Sequence, residues 1–145
     1  MYVAAAGVRV PLAASRVGDL ARAVLEAEHV RAAMLSIAFV SDREIARLNR
    51  VHLGHRGATD VISFKFAPAR ANGPVVGDIY IAPGVARLHA AEQGVGVREE
   101  LARLVVHGTL HVLGYDHPAD AARGSSPMWR RQEALLARFF APAGA

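Results

Sequence analysis

The stretch VREELARLVVHGTLHVLGYDH, residues 97–117, combines a long helical pattern with the densest group of histidines in the chain. Residues 97–113 contain no proline and consist largely of good helix formers. Glu99 and Glu100 fall in the first turn, where the helix dipole favours acidic side chains. The pattern predicts one helix over 97–113. Gly114 follows where the helix should end, because glycine adopts the left-handed conformation at little cost.

Three histidines, His107, His111 and His117, lie within eleven residues of this stretch. The first two are four residues apart, so they share one helical face, and the turn at Gly114 can bring the third back toward it. Three imidazoles suit zinc, and the chain has no cysteine to complete a closed site. We therefore predict one Zn²⁺ per chain, with a coordination position open to water or substrate. The alternative is that these histidines cap, hydrogen bond or pack.

The same spacing occurs in the metzincin proteases, whose pattern is H-E-x-x-H-x-x-G-x-x-H. Gly108 stands where those enzymes have the glutamate that acts as general base, which disfavours a metalloprotease. A metal-activated water remains compatible with the pattern, because zinc alone lowers the pKa of bound water to about 7. We expect position 108 to face that water and the substrate.

Length and composition indicate one globular domain, residues 1–145, with 52% apolar residues. No apolar run approaches the ~20 residues that span a bilayer, and no signal-peptide pattern begins the chain, so we expect a cytoplasmic protein without a membrane partner. The net charge of +4 is compatible with binding to nucleic acid. Only Lys65 among the 17 basic residues is a lysine, a bias that GC-rich coding would also explain.

Strand and helix patterns are mixed along the chain. Apolar runs predict strands within 2–10 (interrupted near Gly7) and over 33–40, 60–66 and 77–83. Helical spacing predicts helices over 15–28, from Ser41 to about Asn49, and over 84–93, 97–113 and 127–140, with a capping-box pattern at Ser41 and Glu44. These elements predict an α+β fold: a single domain in which a small mixed sheet packs with about five helices, with the three-histidine site at the end of one helix.

The motif HGTLHVLGYDH, residues 107–117, resembles the signature of the YbeY family, bacterial rRNA maturation factors regarded as metal-dependent single-strand endoribonucleases. Further segments fit in the same order: LNRVHLGHRGATDVISF (48–64), VGDIYIAP (76–83) and MWRRQEALL (128–136). The resemblance covers most of the chain. It implies an α+β domain with its metal in a cleft and with His107, His111 and His117 as zinc ligands.

The resemblance also implies RNA as the partner, through 16S rRNA 3′-end maturation and ribosome quality control on the ribosome or its small subunit. It implies a cytoplasmic location and no small-molecule cofactor. A second hypothesis is a ribosome-associated assembly factor whose zinc is structural and whose turnover is low. An open coordination position would separate the two hypotheses.

One departure from the family concerns catalysis. Many members have an arginine four residues after the asparagine that Asn49 matches, where this chain has Leu53. Arg56, in the same loop, is a catalytic candidate that would fork onto a phosphate, or it is a solvated loop residue. Asp116 is the other candidate, which either orients a ligand imidazole or solvates the turn.

Other polar and aromatic residues near these segments have simpler interpretations. His52 and His55 either contact RNA or are exposed in their loop. We interpret Thr59, Asp60, Ser63 and Asp78 as structural, Met128 and Glu133 as residues that seat the last helix, and Trp129 as a packing anchor.

Overall fold

The structure, a computed structural model, describes residues 1–116 and 126–140, which form four strands and five helices. The strands are β1 (Tyr2–Ala5), β2 (Ala33–Phe39), β3 (Val61–Phe66) and β4 (Val75–Ile81). The helices are α1 (Ala14–Ala27), α2 (Asp42–Leu53), α3 (Pro83–Gln93), α4 (Val97–Val112) and α5 (Pro127–Phe139). The predicted class, an α+β domain with a small mixed sheet and about five helices, is confirmed.

The strands form one mixed sheet in the order β1-β2-β4-β3. Strands β1 and β4 run parallel to β2, whereas β3 pairs antiparallel with β4. Ile79 of β4 is the register partner of Ile37 on one side and of Ser63 on the other. Register partners point to the same face of a sheet, so Ser63 lies on the same face as Ile37 and Ile79, which packs against α4.

Helix α4 runs through the middle of the fold and packs against α1, α3, α5 and the sheet. Ten of its 16 residues are buried, so apolar side chains cover most of its circumference. Leu101, Val105 and Leu110 are fully buried in the main core with Ile37 and Ile79. Only a narrow strip of this helix is left for polar side chains.

Two glycines allow α4 to lie close to β4. A Cβ on Gly108 would come within 2.6 Å of Ile79 Cγ2, and a Cβ on Gly77 within 2.5 Å of Val112 Cγ1. Carbon atoms prefer separations of about 3.5–4.0 Å, so the close approach depends on the missing side chains. The expectation that position 108 faces the metal and the substrate is therefore wrong. Successive residues are about 100° apart around a helix, and this step turns Gly108 from the side of His107 toward the sheet.

Helix α2 covers part of the opposite face of the sheet. Ile45 and Leu48 pack against Ile62 of β3 in a second, smaller core cluster. Ser41 Oγ accepts a hydrogen bond from the backbone N–H of Glu44 at 3.1 Å, as the capping pattern predicted. Because α2 packs against β3, both ends of the loop that connects them are held in place.

Some element boundaries agree with the predicted ones and others differ. Strand β1 lies within the predicted range, and the predicted interruption near Gly7 is confirmed, because the chain turns there with a φ of +67°. Helix α2 extends past Asn49 and ends at Gly54, whose φ is +69°. Helix α4 ends as predicted, since Gly114 has a φ of +106°. Glycine accommodates such positive φ values without the clash of a Cβ.

None of the helices in the two described ranges combines the length and the apolar character that a bilayer span requires.

Candidate functional site

His107 and His111 lie on one face of α4, one turn apart, as their spacing predicts. Their rings stack with centroids 6.5 Å apart and planes within 9° of parallel. Both residues are only partly buried, so the pair borders solvent. His117, the third predicted ligand, lies outside the described residues, and the three-histidine site therefore remains a prediction.

Gln132 of α5 holds the ring of His107. Its Oε1 lies 2.7 Å from His107 Nδ1, while its Nε2 donates to Glu133 Oε2 at 3.0 Å. An ionised carboxylate only accepts hydrogen bonds, so this second contact fixes the orientation of the amide. His107 Nδ1 therefore carries a proton and donates it to Oε1. In the neutral ring the lone pair is then on Nε2, the atom that would ligate a metal.

Ser63 of β3 holds the ring of His111 in a similar way. Its Oγ lies 2.9 Å from His111 Nδ1. A hydroxyl group either donates or accepts here, and in both cases the contact fixes the plane of the ring. Two elements that flank α4 thus orient its two imidazoles through Nδ1. Metal-ligating histidines are typically oriented by such outer hydrogen bonds.

Asp116 lies on the other side of His111. Its Oδ1 is 4.0 Å from His111 Nε2, beyond hydrogen-bond distance, and its side chain is 93% exposed. Ser63 therefore orients His111. The described geometry does not favour the interpretation that Asp116 orients this imidazole.

A cleft of about 240 Å³ opens beside His107. Its walls include Asp60 just before β3, Glu100 and Arg103 of α4, and Trp129 of α5. Glu100, Arg103 and His107 follow one another at spacings of three and four, so they form one polar strip along the helix. Trp129 is half-buried and borders the cleft. Its predicted role as a packing anchor stays a prediction.

Arg103 is bound by three carboxylates. Its guanidinium donates to Glu100 at 2.7 Å, to Glu99 at 3.4 Å and to Glu133 at 3.0 and 3.2 Å. Burial lowers the pKa of Arg103, but the hydrogen bonds and charges of Glu133 and Glu100 outweigh it, so the pKa lies above its usual value. This arginine is committed to the protein's own carboxylates. It also joins α5 to α4, which agrees with the predicted seating role of Glu133.

A second group of metal-ligating side chains lies along the same cleft. The donor atoms of Asp60, His89 and Glu100 are all within 4.8 Å of one another. His89 Nδ1 lies 3.3 Å from Asp60 Oδ2. No local spacing pattern identifies His89 in the sequence, because its neighbours in the group come from distant parts of the chain.

The loop between α2 and β3 carries the remaining predicted candidates. Arg56 is exposed there and is not among the described residues that line the cleft. Asn49 Nδ2 donates to the carbonyl of Gly57 at 3.0 Å and ties the loop to α2. Leu53, where the family resemblance places an arginine, is 45% exposed. A phosphate-binding role for Arg56 therefore stays a hypothesis.

The two histidines of this loop have different surroundings. The ring of His52 makes an edge contact with Phe64, with centroids 5.4 Å apart. His55 is exposed. Neither position brings an imidazole into the group of described residues that line the cleft.

Tyr115 anchors the segment that leaves α4 toward His117. Its hydroxyl donates to Glu28 Oε1, and Arg131 Nε donates to Glu28 Oε2 at 2.8 Å. Burial raises the pKa of Glu28, but these two hydrogen bonds and the charge of Arg131 outweigh it and place the pKa below its ordinary value. The end of α1, the end of α4 and α5 therefore meet at one largely buried carboxylate.

Gln132 is another site residue that was not predicted from the sequence. It lies four residues after Met128 and three before Leu135, on the apolar face of α5, and is 1% exposed. A polar side chain at a core-facing position needs a hydrogen-bond partner, so the amphipathic pattern held a signal for a buried polar contact. The pattern did not identify the partner as His107, because the pairing depends on how two helices pack.

Comparisons with known proteins give consistent matches over most of the chain. The family model described as Endoribonuclease YbeY matches residues 8–140. Endoribonuclease YbeY of Anaeromyxobacter sp. strain Fw109-5 is 43% identical over 128 residues, which cover 87% of this chain and 64% of that protein. The protein of the same name from Moorella thermoacetica is 41% identical over 114 residues, covering 72% of each chain. The chain thus spans slightly less than two thirds of the first of these relatives.

A third relative and a solved structure extend the comparison. Endoribonuclease YbeY of Desulfitobacterium hafniense is 36% identical over 136 residues, covering 86% of this chain and 85% of that protein. The solution structure of TM1509 from Thermotoga maritima superposes with a TM-score of 0.64 at 24% identity, covering 96% of this chain and 88% of that one. This structural likeness concerns the fold.

Proposed function

The chain belongs to the endoribonuclease YbeY family, whose members are named as hydrolases acting on RNA, and from that premise we propose that it is a metal-dependent endoribonuclease specific for single strands. Its substrate would be the 3′ end of 16S rRNA, in ribosome maturation and quality control, with the ribosome or its small subunit as partner. Residues 1–145 would act as one such domain in the cytoplasm, with one Zn²⁺ and no small-molecule cofactor.

The observation that carries this proposal is the pair of parallel imidazoles on α4, each held through Nδ1 by a side chain from another element. This arrangement favours metal ligation through Nε2 of His107 and His111, and His117 would complete a set of three nitrogen donors suited to zinc. When bound, the ion supplies Lewis acidity that polarises a phosphate and lowers the pKa of water.

Two residues of this chain, Asp116 and Arg56, are candidates for a catalytic role next to the metal. Asp116 has an exposed carboxylate 4.0 Å from His111 Nε2, so it lies close to the proposed metal site. Arg56 would hold a flanking phosphate from its exposed loop. Arg103 is not assigned this role, because its guanidinium already binds three glutamates.

A second candidate function is a ribosome-associated assembly factor with a structural zinc and little turnover. The assembly-factor function is favoured by Leu53, which stands where the family resemblance places an arginine. Without that arginine, the loop lacks a cation at this position that could bind a phosphate. A metalloprotease of the metzincin type is not supported. Position 108 is a glycine that faces Ile79, so it offers no general base.

A cleavage assay on rRNA fragments with single-stranded 3′ extensions tests the proposal. Metal-stripped protein, zinc-restored protein and zinc-loaded His111→Ala would be run side by side, with His55→Ala as the matched control because that histidine is exposed. We expect cleavage only by the zinc-restored protein and the control. RNA binding without cleavage in every sample would favour the assembly factor. Equal cleavage by the metal-stripped protein would overturn the dependence on zinc.

A further inference from the structure

Two carboxylates and one imidazole converge beside the cleft, away from the histidine pair. Asp60 comes from the residue before β3, His89 from α3 and Glu100 from α4, and their donor atoms lie within 4.8 Å of one another. The side chains of Asp60, His89 and Glu100 are 21%, 42% and 11% exposed, so the group opens to solvent on the imidazole side. A small ion therefore has a path to it from solvent.

The charges around this group do not balance. Asp60, Glu99, Glu100 and Glu133 bring four carboxylates together with Arg103, the guanidinium that three of them share. The chain as a whole carries a formal charge of +4, so the acidic cleft wall runs against its overall character. Partly buried carboxylates in excess attract a cation, since their mutual repulsion is weakly screened there.

We propose that Asp60, His89 and Glu100 form a binding site for a divalent transition-metal ion, separate from the site predicted at His107, His111 and His117. One imidazole nitrogen and two carboxylate oxygens suit Mn²⁺, Fe²⁺ or Zn²⁺ better than Ca²⁺ or Mg²⁺, which take oxygen ligands. Ligand atoms at about 2.1 Å from one ion in tetrahedral geometry are about 3.4 Å apart. Because the donor atoms lie within 4.8 Å of one another, binding requires the most distant of them to move closer by up to about 1.4 Å.

The position of the site indicates its role. Glu100 precedes His107 by seven residues, which is about 10 Å along a helix axis. Two-metal nuclease centres hold their ions about 3.5–4 Å apart, so this ion would not share the scissile phosphate. It would neutralise the cleft wall where a neighbouring phosphate of the RNA passes. That role rests on the proposed function, whereas the binding of the ion does not.

Titration with Mn²⁺ tests the binding directly. Full-length protein would first receive one equivalent of Zn²⁺, and the free Mn²⁺ would then be followed by its electron paramagnetic resonance signal. We expect one saturable equivalent of Mn²⁺ in the parent protein and at least a tenfold weaker association in Asp60→Asn and in His89→Gln. Asp19→Asn and His55→Ala are the matched controls, because both side chains are exposed outside the cleft. Circular dichroism would establish that each variant is folded.

His107→Ala separates this inference from the proposed function. This variant should no longer hold zinc at the predicted three-histidine site, and when titrated without added Zn²⁺, which the second site would also accept, it should still bind one equivalent of Mn²⁺. Unchanged Mn²⁺ binding in both cleft variants, or no saturable binding in the parent protein, would overturn the second site and show that the group is an ion-pair cluster only. RNA cleavage retained by this variant, which lacks zinc at the three-histidine site, would count against the proposed function alone.

Discussion

At the scale of single residues, the side chains that orient the histidines matter as much as the histidines. Gln132 Oε1 accepts a hydrogen bond from His107 Nδ1, because Gln132 Nε2 already donates to Glu133. The carboxylate of Glu133 in turn binds Arg103. A chain of three hydrogen-bonded side chains therefore determines which nitrogen of His107 carries the proton, and it runs from the cleft wall to the candidate metal ligand.

Replacing Gln132 by Met should weaken zinc binding by about 10–100-fold, the usual cost of losing an outer hydrogen bond to a ligating histidine. Methionine keeps much of the shape of glutamine but cannot hold the Nδ1 proton in this way. Competition with a chromogenic chelator measures the affinity. Gln93→Met, at an exposed position that also lines the cleft, is the control and should bind zinc as the parent does. Equal affinities for all three proteins would contradict the role of the amide.

Gly108 gives a prediction about stability. A methyl group at this position would meet Ile79 Cγ2 at 2.6 Å. Overpacking of a core costs about 1–3 kcal/mol, which exceeds the gain of about 1 kcal/mol in helix propensity from glycine to alanine. Gly108→Ala should therefore lower the free energy of unfolding by up to about 2 kcal/mol in urea titrations.

Gly18→Ala in α1 is the matched comparison for Gly108→Ala. Its nearest neighbour would be the flexible tip of Arg22 at 3.3 Å, so the propensity gain should dominate and raise the free energy of unfolding. If both substitutions were stabilising, α4 would not lie as close to β4 as the structure places it.

At the scale of secondary-structure elements, Glu28 ties three helices to one another. It terminates α1, accepts from Tyr115 just beyond α4 and pairs with Arg131 of α5. Its pKa in the folded protein is lower than its ordinary value of 4.5. The ionised form is thus stabilised by folding. Its contribution is fully present above the ordinary pKa and is lost as the pH falls through the lowered pKa of the folded state.

Glu28→Gln should accordingly lower stability at neutral pH by about 1.5–3 kcal/mol, the range for hydrogen bonds to charged groups. The variant should also lose less of its remaining stability than the parent as the pH falls below about 4.5. Thermal or urea unfolding across this pH range measures both effects. Glu26→Gln, an exposed position on the same helix, should leave the acid dependence unchanged. If the free energy of unfolding had the same pH dependence in Glu28→Gln and in the parent, the proposed contribution of ionised Glu28 to stability would be refuted.

The sequence predicted the elements well where local chemistry determines them. Helix α4 begins near acidic residues and ends at Gly114, and α2 begins at Ser41, because caps and turns depend on neighbouring residues. Strand ends were less accurate: 77–83 was predicted where β4 covers Val75–Ile81. Pairing with β2 and β3 sets those ends, and strand pairing is a long-range property.

In the candidate site, too, the features that depend on local sequence could be predicted and those that depend on long-range packing could not. The spacing of His107 and His111 required only helix geometry, and the structure confirms that they share a face. The contacts of Ser63 and Gln132 required knowledge of which elements flank α4, which no local pattern contains. The direction of Gly108 was misjudged for a related reason. Apolar residues surround most of α4, so its sequence does not indicate which side faces the sheet.

At the scale of the whole molecule, the charges are unevenly distributed. Carboxylates outnumber guanidinium groups among the described residues that line the cleft, which include Asp60 and Glu100 but, of the arginines, Arg103 alone. Arginines line other surfaces, such as a groove of about 850 Å³ at the N-terminus of α4 that includes Arg9, Arg87 and Arg98. The net charge of +4 therefore arises outside the cleft. Single-stranded RNA would be attracted by this outer arginine surface and would meet the acidic wall only near the histidines.

If RNA is held by this surface, its affinity should depend steeply on salt. The logarithm of the association constant should fall linearly with the logarithm of salt concentration, with a slope of about −0.7 for each phosphate contact on a single strand. Arg56→Ala should reduce the slope by about one contact if Arg56 binds phosphate. Arg22→Ala is the control, because that guanidinium is paired with Asp19 at 3.2 Å. Fluorescence anisotropy with metal-stripped protein avoids cleavage of the probe. A response that is flat between low and physiological salt would leave the arginine excess without a role in RNA binding, and an unchanged slope in Arg56→Ala would remove that residue from the phosphate contacts.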